Sequence, residues 1–163
     1  MPAADGSYYI DLTGSHAENG VNDVGTISQT IATQVGQQYF LSFYFGANPQ
    51  APQFTYPNDG PVKAMDLLLN WSLTGTYALN TTGIAATNPQ WTFESTSFTA
   101  TSNLTQISFR SLNGIVAPSD FGPLLDGVSV TAVPEPATVW LMLSSLGLVP
   151  VFRSFRRGRP MAA

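Results

Sequence analysis

The sequence predicts an all-β domain, an antiparallel jelly-roll-like sandwich, followed by one C-terminal helix of transmembrane or sorting type. Three observations predict it. Short stretches of alternating apolar and polar residues recur from Tyr8 to Val133, cut by Gly, Pro and Asn clusters, which is the pattern of strands and turns. An uncharged apolar run then extends from Ala137 to Phe152. Directly after it, Arg153, Arg156, Arg157 and Arg159 supply four of the chain's six basic residues. The domains are therefore drawn as 1–132 for the sandwich and 133–163 for the tail.

Taken in order, Tyr8–Leu12 is a short strand ended by Thr13-Gly14, and the polar stretch from Ser15 to Val24 is a loop. Gly25–Thr33 alternates, with Ile27 and Ile31 on one side and Ser28, Thr30 and Ala32 on the other. Tyr39–Ala47 is the strongest strand. Tyr39, Leu41, Phe43 and Phe45 share one face and Phe40, Ser42 and Tyr44 the other, which predicts a central strand covered at least in part on both sides. Asn48–Pro61 is a long Pro-rich loop. Val62–Leu73 reads as one strand, with a helical alternative over Met65–Leu69; Gly75–Asn80 and Gln90–Ala100 are the next two. Leu104–Leu112 points Ile107 and Phe109 inward and Ser108 and Arg110 outward, and Leu124–Val133 closes the domain with Val128 and Val130 inward. Such strands pack as a sandwich or jelly roll.

The apolar run is 16 residues, about 24 Å of helix against a bilayer core of about 30 Å. Phe155, local thinning and snorkelling arginines extend its reach. The arginines place the C-terminus in the cytoplasm and the preceding domain outside, by the positive-inside rule. A buried core helix is the competing reading, and the arginines directly after the run favour a membrane. Pro134 and Pro136 hold Glu135 in an extended, accessible backbone that a processing enzyme can grip.

Before Val133 the chain carries nine acids against Lys63 and Arg110, a net charge of −7 where the whole chain has −4. That excludes nucleic acid, which needs clustered bases. The absence of cysteine excludes a disulfide framework, thiolate catalysis and Cys-ligated zinc. Met1–Gly6 has neither a basic nor an apolar region of a signal peptide. Since a sorting tail implies export, the expectation is a stretch upstream with a signal peptide and the first strands.

Catalysis has little to stand on. His16 is the only histidine and sits in a polar loop, and no Gly-x-Ser-x-Gly elbow occurs. Glu94 and Glu18 leave a glycosidase-like carboxylate pair open. Asn70-Trp71-Ser72, Asn80-Thr81-Thr82 and Asn103-Leu104-Thr105 are formal glycosylation sequons. Carbohydrate has better candidates: Phe54 and Tyr56, flanked by Gln53, Asn58 and Asp59, put aromatic faces and polar side chains on one loop. Packing of that loop on itself is the alternative. Trp71, Tyr77 and Trp91 lie in predicted strands and are assigned to the core.

Two resemblances add to this reading. Val133-Pro134-Glu135-Pro136, the apolar helix 137–152 and the Arg-rich end 153–159 resemble a PEP-CTERM sorting signal of exported proteins in Gram-negative bacteria. The resemblance implies recognition by an exosortase in the inner membrane, with Pro134, Glu135, Pro136, Arg153, Arg156 and Arg157 as the processing determinants. The protein would then pass from a membrane-anchored intermediate to the cell surface or the exopolysaccharide matrix of a biofilm.

Upstream, Asp5–Gly14, Gly25–Thr30, Tyr39–Asn48, Trp91–Thr99 and Gly122–Val130 together resemble the exported DUF642, or choice-of-anchor C, domains. These adopt a galactose-binding-like jelly roll and begin with strands that this sequence lacks. The resemblance implies a structural calcium held in part by Asp126, the only cofactor expected; the alternative is that Asp126 fixes the Gly122–Gly127 turn through backbone amides. The expected function is an exported, non-enzymatic surface protein that binds exopolysaccharide. A structural or adhesive matrix protein without a sugar site, and a glycan-active enzyme, are the alternatives.

Overall fold

The computed structural model describes residues 1–13, 25–49, 61–85, 87–112 and 121–134. Eight strands form: β1 (Ile10–Asp11), β2 (Thr26–Ala32), β3 (Gln38–Ala47), β4 (Val62–Leu69), β5 (Ser72–Asn80), β6 (Thr92–Thr99), β7 (Leu104–Ser111) and β8 (Pro123–Ala132). They pair antiparallel in two sheets, β1-β8-β3-β6 and β2-β7-β4-β5. Successive strands alternate between the sheets except at the β4–β5 hairpin, an order that resembles a jelly roll. The chain divides into two units, Met1–Val133 and Pro134–Ala163.

Period-two alternation decides which side chains meet between the sheets. Leu41, Phe43 and Phe45 of β3 face Met65 and Leu67 of β4 and Ile107 and Phe109 of β7, joined by Leu12 and Leu125. Phe43 is the hub. Its ring stands edge-on to Tyr77 and to Phe109, each with centroids 5.0 Å apart. Full burial of one such side chain stabilises by roughly 1.5–3 kcal/mol. The second sheet is tied on its outer side by Asp66, which accepts from the Arg110 guanidinium at 2.6 Å and the Thr76 hydroxyl at 2.7 Å.

Five expectations change. Val62–Leu73 is not one strand: Asn70 and Trp71, at φ 49° and 67°, turn the chain between β4 and β5. Two consecutive left-handed residues make the type I′ geometry of a tight hairpin. Asn70 suits it. Trp71 does not announce a turn, and as a turn residue it is 66% exposed rather than core. Trp91 also lies outside any strand and packs half-buried before β6. β3 is central in its sheet, but among the described residues no layer lies over its outer face, where Ser42 and Tyr44 are half-buried and Phe40 is 41% exposed. Val128 keeps the inward parity and is still exposed. The β3–β8 register shifts between Ser42 and Tyr44, where Gly127 adopts φ 55°, and β1 covers β8 only at Leu124 and Leu125. Tyr77, assigned to the core, does pack against it.

All the long connections leave one end of the sandwich: residues 12–25, 48–61, 81–91 and 112–122. The short turns are at the other end, where Val133 donates to Gln38 O at 2.8 Å and accepts from Gln37 Nε2 at 2.6 Å. The chain thus leaves β8 at the short-turn end. Among the described residues no helix is long and apolar enough to cross a membrane. The predicted helix 137–152 and the arginines of 153–159 lie outside the described residues.

Candidate binding face

Two groups of polar and aromatic side chains stand apart from the core. One is a plug at the long-connection end. Asp11 accepts from the Thr13 amide at 3.0 Å and from Asn48 Nδ2 at 3.0 Å, and the Thr13 and Ser111 hydroxyls lie 3.4 Å apart. Lys63 is fully buried, and its charge favours the Asp11 carboxylate. Burial is the larger influence and pushes the Asp11 pKa above its ordinary 3.8, against the hydrogen bonds from Asn48, Thr13 and Gly122 and against Lys63. A side chain at position 122 would overlap Thr13 and stand 2.8 Å from Asp11 Oδ1, so only glycine closes the plug. The hydrogen bonds of Asp11 to Thr13 and Asn48 hold this end together.

The second group is the outer face of the first sheet. β3 presents Gln38, Phe40, Ser42 and Tyr44 outward. β6 sets Thr99, Ser97, Ser95 and Phe93 beside them in register. On the other flank, β8 sets Thr131 beside Phe40 and Ser129 beside Ser42. Phe93 is 56% exposed, and its ring meets Tyr44 edge-on at 5.3 Å. Phe40 and Tyr44 are four residues apart, about 14 Å along the strand. Between them runs a strip of hydroxyls, and none of these ten side chains carries a charge; the next residue of β8 on this face is Asp126, beside Tyr44. Gly127 permits the Tyr44 ring to lie close, since a Cβ there would be 2.9 Å from Tyr44 Cδ2.

Such a face suits a ligand with apolar C–H surfaces and many hydroxyls. Aromatic rings exposed to water keep their hydrophobic driving force available to a partner. Hydroxyls donate and accept without a desolvated charge. At the face's end, Trp91 donates from Nε1 to Pro2 O at 3.0 Å and meets Tyr9 edge-on at 5.7 Å, which ties the N-terminal residues down.

Of the sequence-derived candidates, Asp126 is on β8 beside Tyr44 and most of the others are not among the described residues. Phe54, Tyr56, Asn58 and Asp59 lie outside the described residues, as do Glu135, Pro136, Arg153, Arg156 and Arg157; Pro134 is described just past the end of β8. Asp126 lies within β8, not in a Gly122–Gly127 turn, and it holds amides of the N-terminal residues as well as that of Gly127. Its Oδ2 accepts from the amides of Ala4 at 2.8 Å and Asp5 at 2.9 Å, and its Oδ1 from Gly127 at 2.7 Å. Among the described residues no group of three or more His, Cys, Asp or Glu is placed to hold a metal. Phe40, Tyr44 and Phe93, the aromatic residues of this face, are not among the sequence-derived candidates. The signal was present: aromatic residues on the second face of Tyr39–Ala47, next to a strand whose outward positions are Ser and Thr.

Fold and face define a class, an antiparallel sandwich resembling a jelly roll that displays an aromatic-bearing, hydroxyl-rich sheet to solvent. Within that class the chain belongs to the DUF642 family: residues 1–131 match the family described as a protein of unknown function. No curated protein matches the chain. Among solved structures, the chain is similar to a family 35 carbohydrate binding module from an environmental isolate, at 16% identity and a TM-score of 0.47, covering 82% of this chain and 85% of that one. It is similar to the sugar-binding C-terminal domain of EclA, at 13% identity and a TM-score of 0.49, covering 80% and 83%. A third is the module CBM36 in complex with calcium and xylotriose, at 11% identity and a TM-score of 0.42, covering 78% and 91%. Against a CBM4 structure the chain spans 61% of the other's length.

Proposed function

We propose that this chain is an exported, non-enzymatic protein that binds polysaccharide on the outer face of its first sheet. The carrying observation is the arrangement of Phe40, Tyr44 and Phe93 around a strip of uncharged hydroxyl side chains, open to solvent. The aromatic rings would stack on the apolar faces of sugar rings, and Ser42, Ser95, Ser97, Ser129 and Thr131 would exchange hydrogen bonds with sugar hydroxyls. The carboxylates whose contacts are known serve structure: Asp11 and Asp126 hold backbone amides and Asp66 holds Arg110. That favours binding over glycan hydrolysis. The C-terminal unit, with Pro134, Glu135 and Pro136 before an apolar run and Arg153, Arg156 and Arg157 after it, would deliver the domain to an exosortase in the inner membrane and then to the surface.

The test is affinity electrophoresis of the full chain, in mild detergent, through gels that contain a panel of polysaccharides. Wild type is expected to be retarded by at least one. Phe40→Ala and Phe93→Ala should each weaken binding about tenfold, the equivalent of 1.4 kcal/mol. Loss in Phe54→Ala/Tyr56→Ala with full retention in the outer-face variants would move the site to the loop. No retardation by any polymer would overturn the binding reading. For the sorting half, alanine at Pro134, Glu135 and Pro136 should leave a longer, membrane-retained protein in an exosortase-bearing host; identical processing would overturn it.

A further inference from the structure

The outer face of the first sheet has a barrier at one end. On the β6 side Pro2 O accepts from Trp91 Nε1 at 3.0 Å, and on β8 the amides of Ala4 and Asp5 donate to Asp126. β3 lies between those two strands, so the segment Pro2–Asp5 passes over it. The Trp91 ring lies over Gly46, the residue of β3 that follows Tyr44 on this face; a Cβ there would stand 2.6 Å from Trp91 Cε3. The barrier therefore stands directly behind Tyr44 and its register partner Phe93. At the opposite end Gln38, Thr99 and Thr131 are exposed. From Gln38 to Tyr44 the face runs about 20 Å along β3, against about 10 Å across β8, β3 and β6. A polymer that follows the longer dimension meets the barrier at Tyr44.

One carboxylate faces that meeting point. A Cβ on Gly127 would be 2.9 Å from Tyr44 Cδ2 and 3.7 Å from Asp5 Cβ, so the Asp5 side chain and the Tyr44 ring border the same space. Asp5 is exposed. Its amide fastens the segment to Asp126, while its carboxylate has no hydrogen bond or ion pair among the described residues. An ionised carboxylate only accepts, and hydroxyl donors give it strong, charge-assisted bonds.

On the reading that the outer face is the polysaccharide site, we propose that it holds the end of a neutral chain rather than its interior. The terminal ring packs on Tyr44 and Phe93, its free hydroxyls donate to the Asp5 carboxylate, and the chain leaves along β3 past Phe40. An interior ring in the same place would drive the next sugar into Pro2–Asp5 and Trp91. A terminal ring carries only a hydroxyl there.

The test uses the full chain in mild detergent and size fractions of an unbranched neutral polysaccharide that retards wild type in the gels. Protein bound at saturation per gram of polymer is expected to halve when the mean chain length doubles, because each chain offers one end of the required kind. Asp5→Ala keeps the amide that donates to Asp126 and is expected to weaken binding about tenfold. A capacity per gram that does not change with chain length would overturn the inference and leave the outer face as the site, with chains lying across the strands beside the barrier. Unaltered affinity in Asp5→Ala, or retardation by charged polymers alone, would also overturn it. Retardation by no polysaccharide at all would overturn the binding reading together with this one.

Discussion

Asp11 shows how one side chain couples the end of the sandwich to pH. It is held by the Thr13 amide and Asn48, and burial is the main reason that its pKa lies above the ordinary carboxylate value. A raised carboxyl pKa means that the folded state keeps its proton after the unfolded chain has lost it. The contribution to stability is therefore complete below pH 3.8 and is lost as pH rises from there through the raised folded value. Above that window the ionised carboxylate stays in place, supported by Lys63. Urea midpoints measured across this window should fall for wild type relative to Asp11→Asn, which has no proton to lose. In the variant the side-chain oxygen still accepts from Thr13, and Asn48 can rotate its amide to accept from the new one. Parallel curves for the two proteins would show that Asp11 does not titrate in this range.

At the scale of elements, the β4–β5 hairpin is the clearest case of a local choice made against propensity. Trp71 holds φ 67°, a conformation that costs a residue with a Cβ and suits glycine. Its neighbour is fixed by a second strand: the Asn70 amide donates to Gln106 O at 2.9 Å, and the Asn70 side-chain oxygen accepts from the Gln106 amide at 2.9 Å. The turn is thus determined by Asn70, and Trp71 contributes little burial. Trp71→Gly should raise stability by about 0.5–1 kcal/mol, seen as a higher urea midpoint at unchanged slope; a lower midpoint would mean that the indole packs in solution. The hairpin also explains what the sequence hid. Alternation over Tyr39–Ala47 and Leu104–Leu112 located β3 and β7 within a residue or so, because buried side chains enforce the period. In Leu67-Leu68-Leu69-Asn70-Trp71-Ser72-Leu73 the apolar residues run through the turn. The only cue, Asn70, is one residue among them. Gly127 hid in the same way: its register shift changes how β8 meets β3 without interrupting the apolar pattern.

For the whole molecule, charge distribution constrains which ligand the sandwich can hold. Its face was hard to read from sequence because aromatic residues on both sides of β3 look like a strand buried twice; only the order β1-β8-β3-β6 shows that no layer lies over it among the described residues. The strip from Phe40 to Ser42 and across to Ser95 and Ser97 carries no charge, the nearest one in the sheet being Asp126 beside Tyr44, while the domain carries −7. A neutral polysaccharide meets the aromatic rings and hydroxyls without crossing an unfavourable field. A carboxylated polymer of the same geometry is repelled by the whole domain before it reaches Phe40. At physiological salt that repulsion is screened beyond about 8 Å, and at low salt it extends further. Retention on a neutral polysaccharide should therefore change little with salt. Retention on a carboxylated analogue should be weak at low salt and rise as salt is added, the reverse of an ion-pair interaction. Affinity electrophoresis of wild type and Phe93→Ala at two salt concentrations measures both. If binding to the anionic polymer instead fell with salt, basic residues would have to hold it. Before Val133 only Lys63, which is buried, and Arg110, which is paired with Asp66 on the other sheet, carry positive side chains. Such a result would therefore move the ligand away from the first sheet and to the arginines after Phe152.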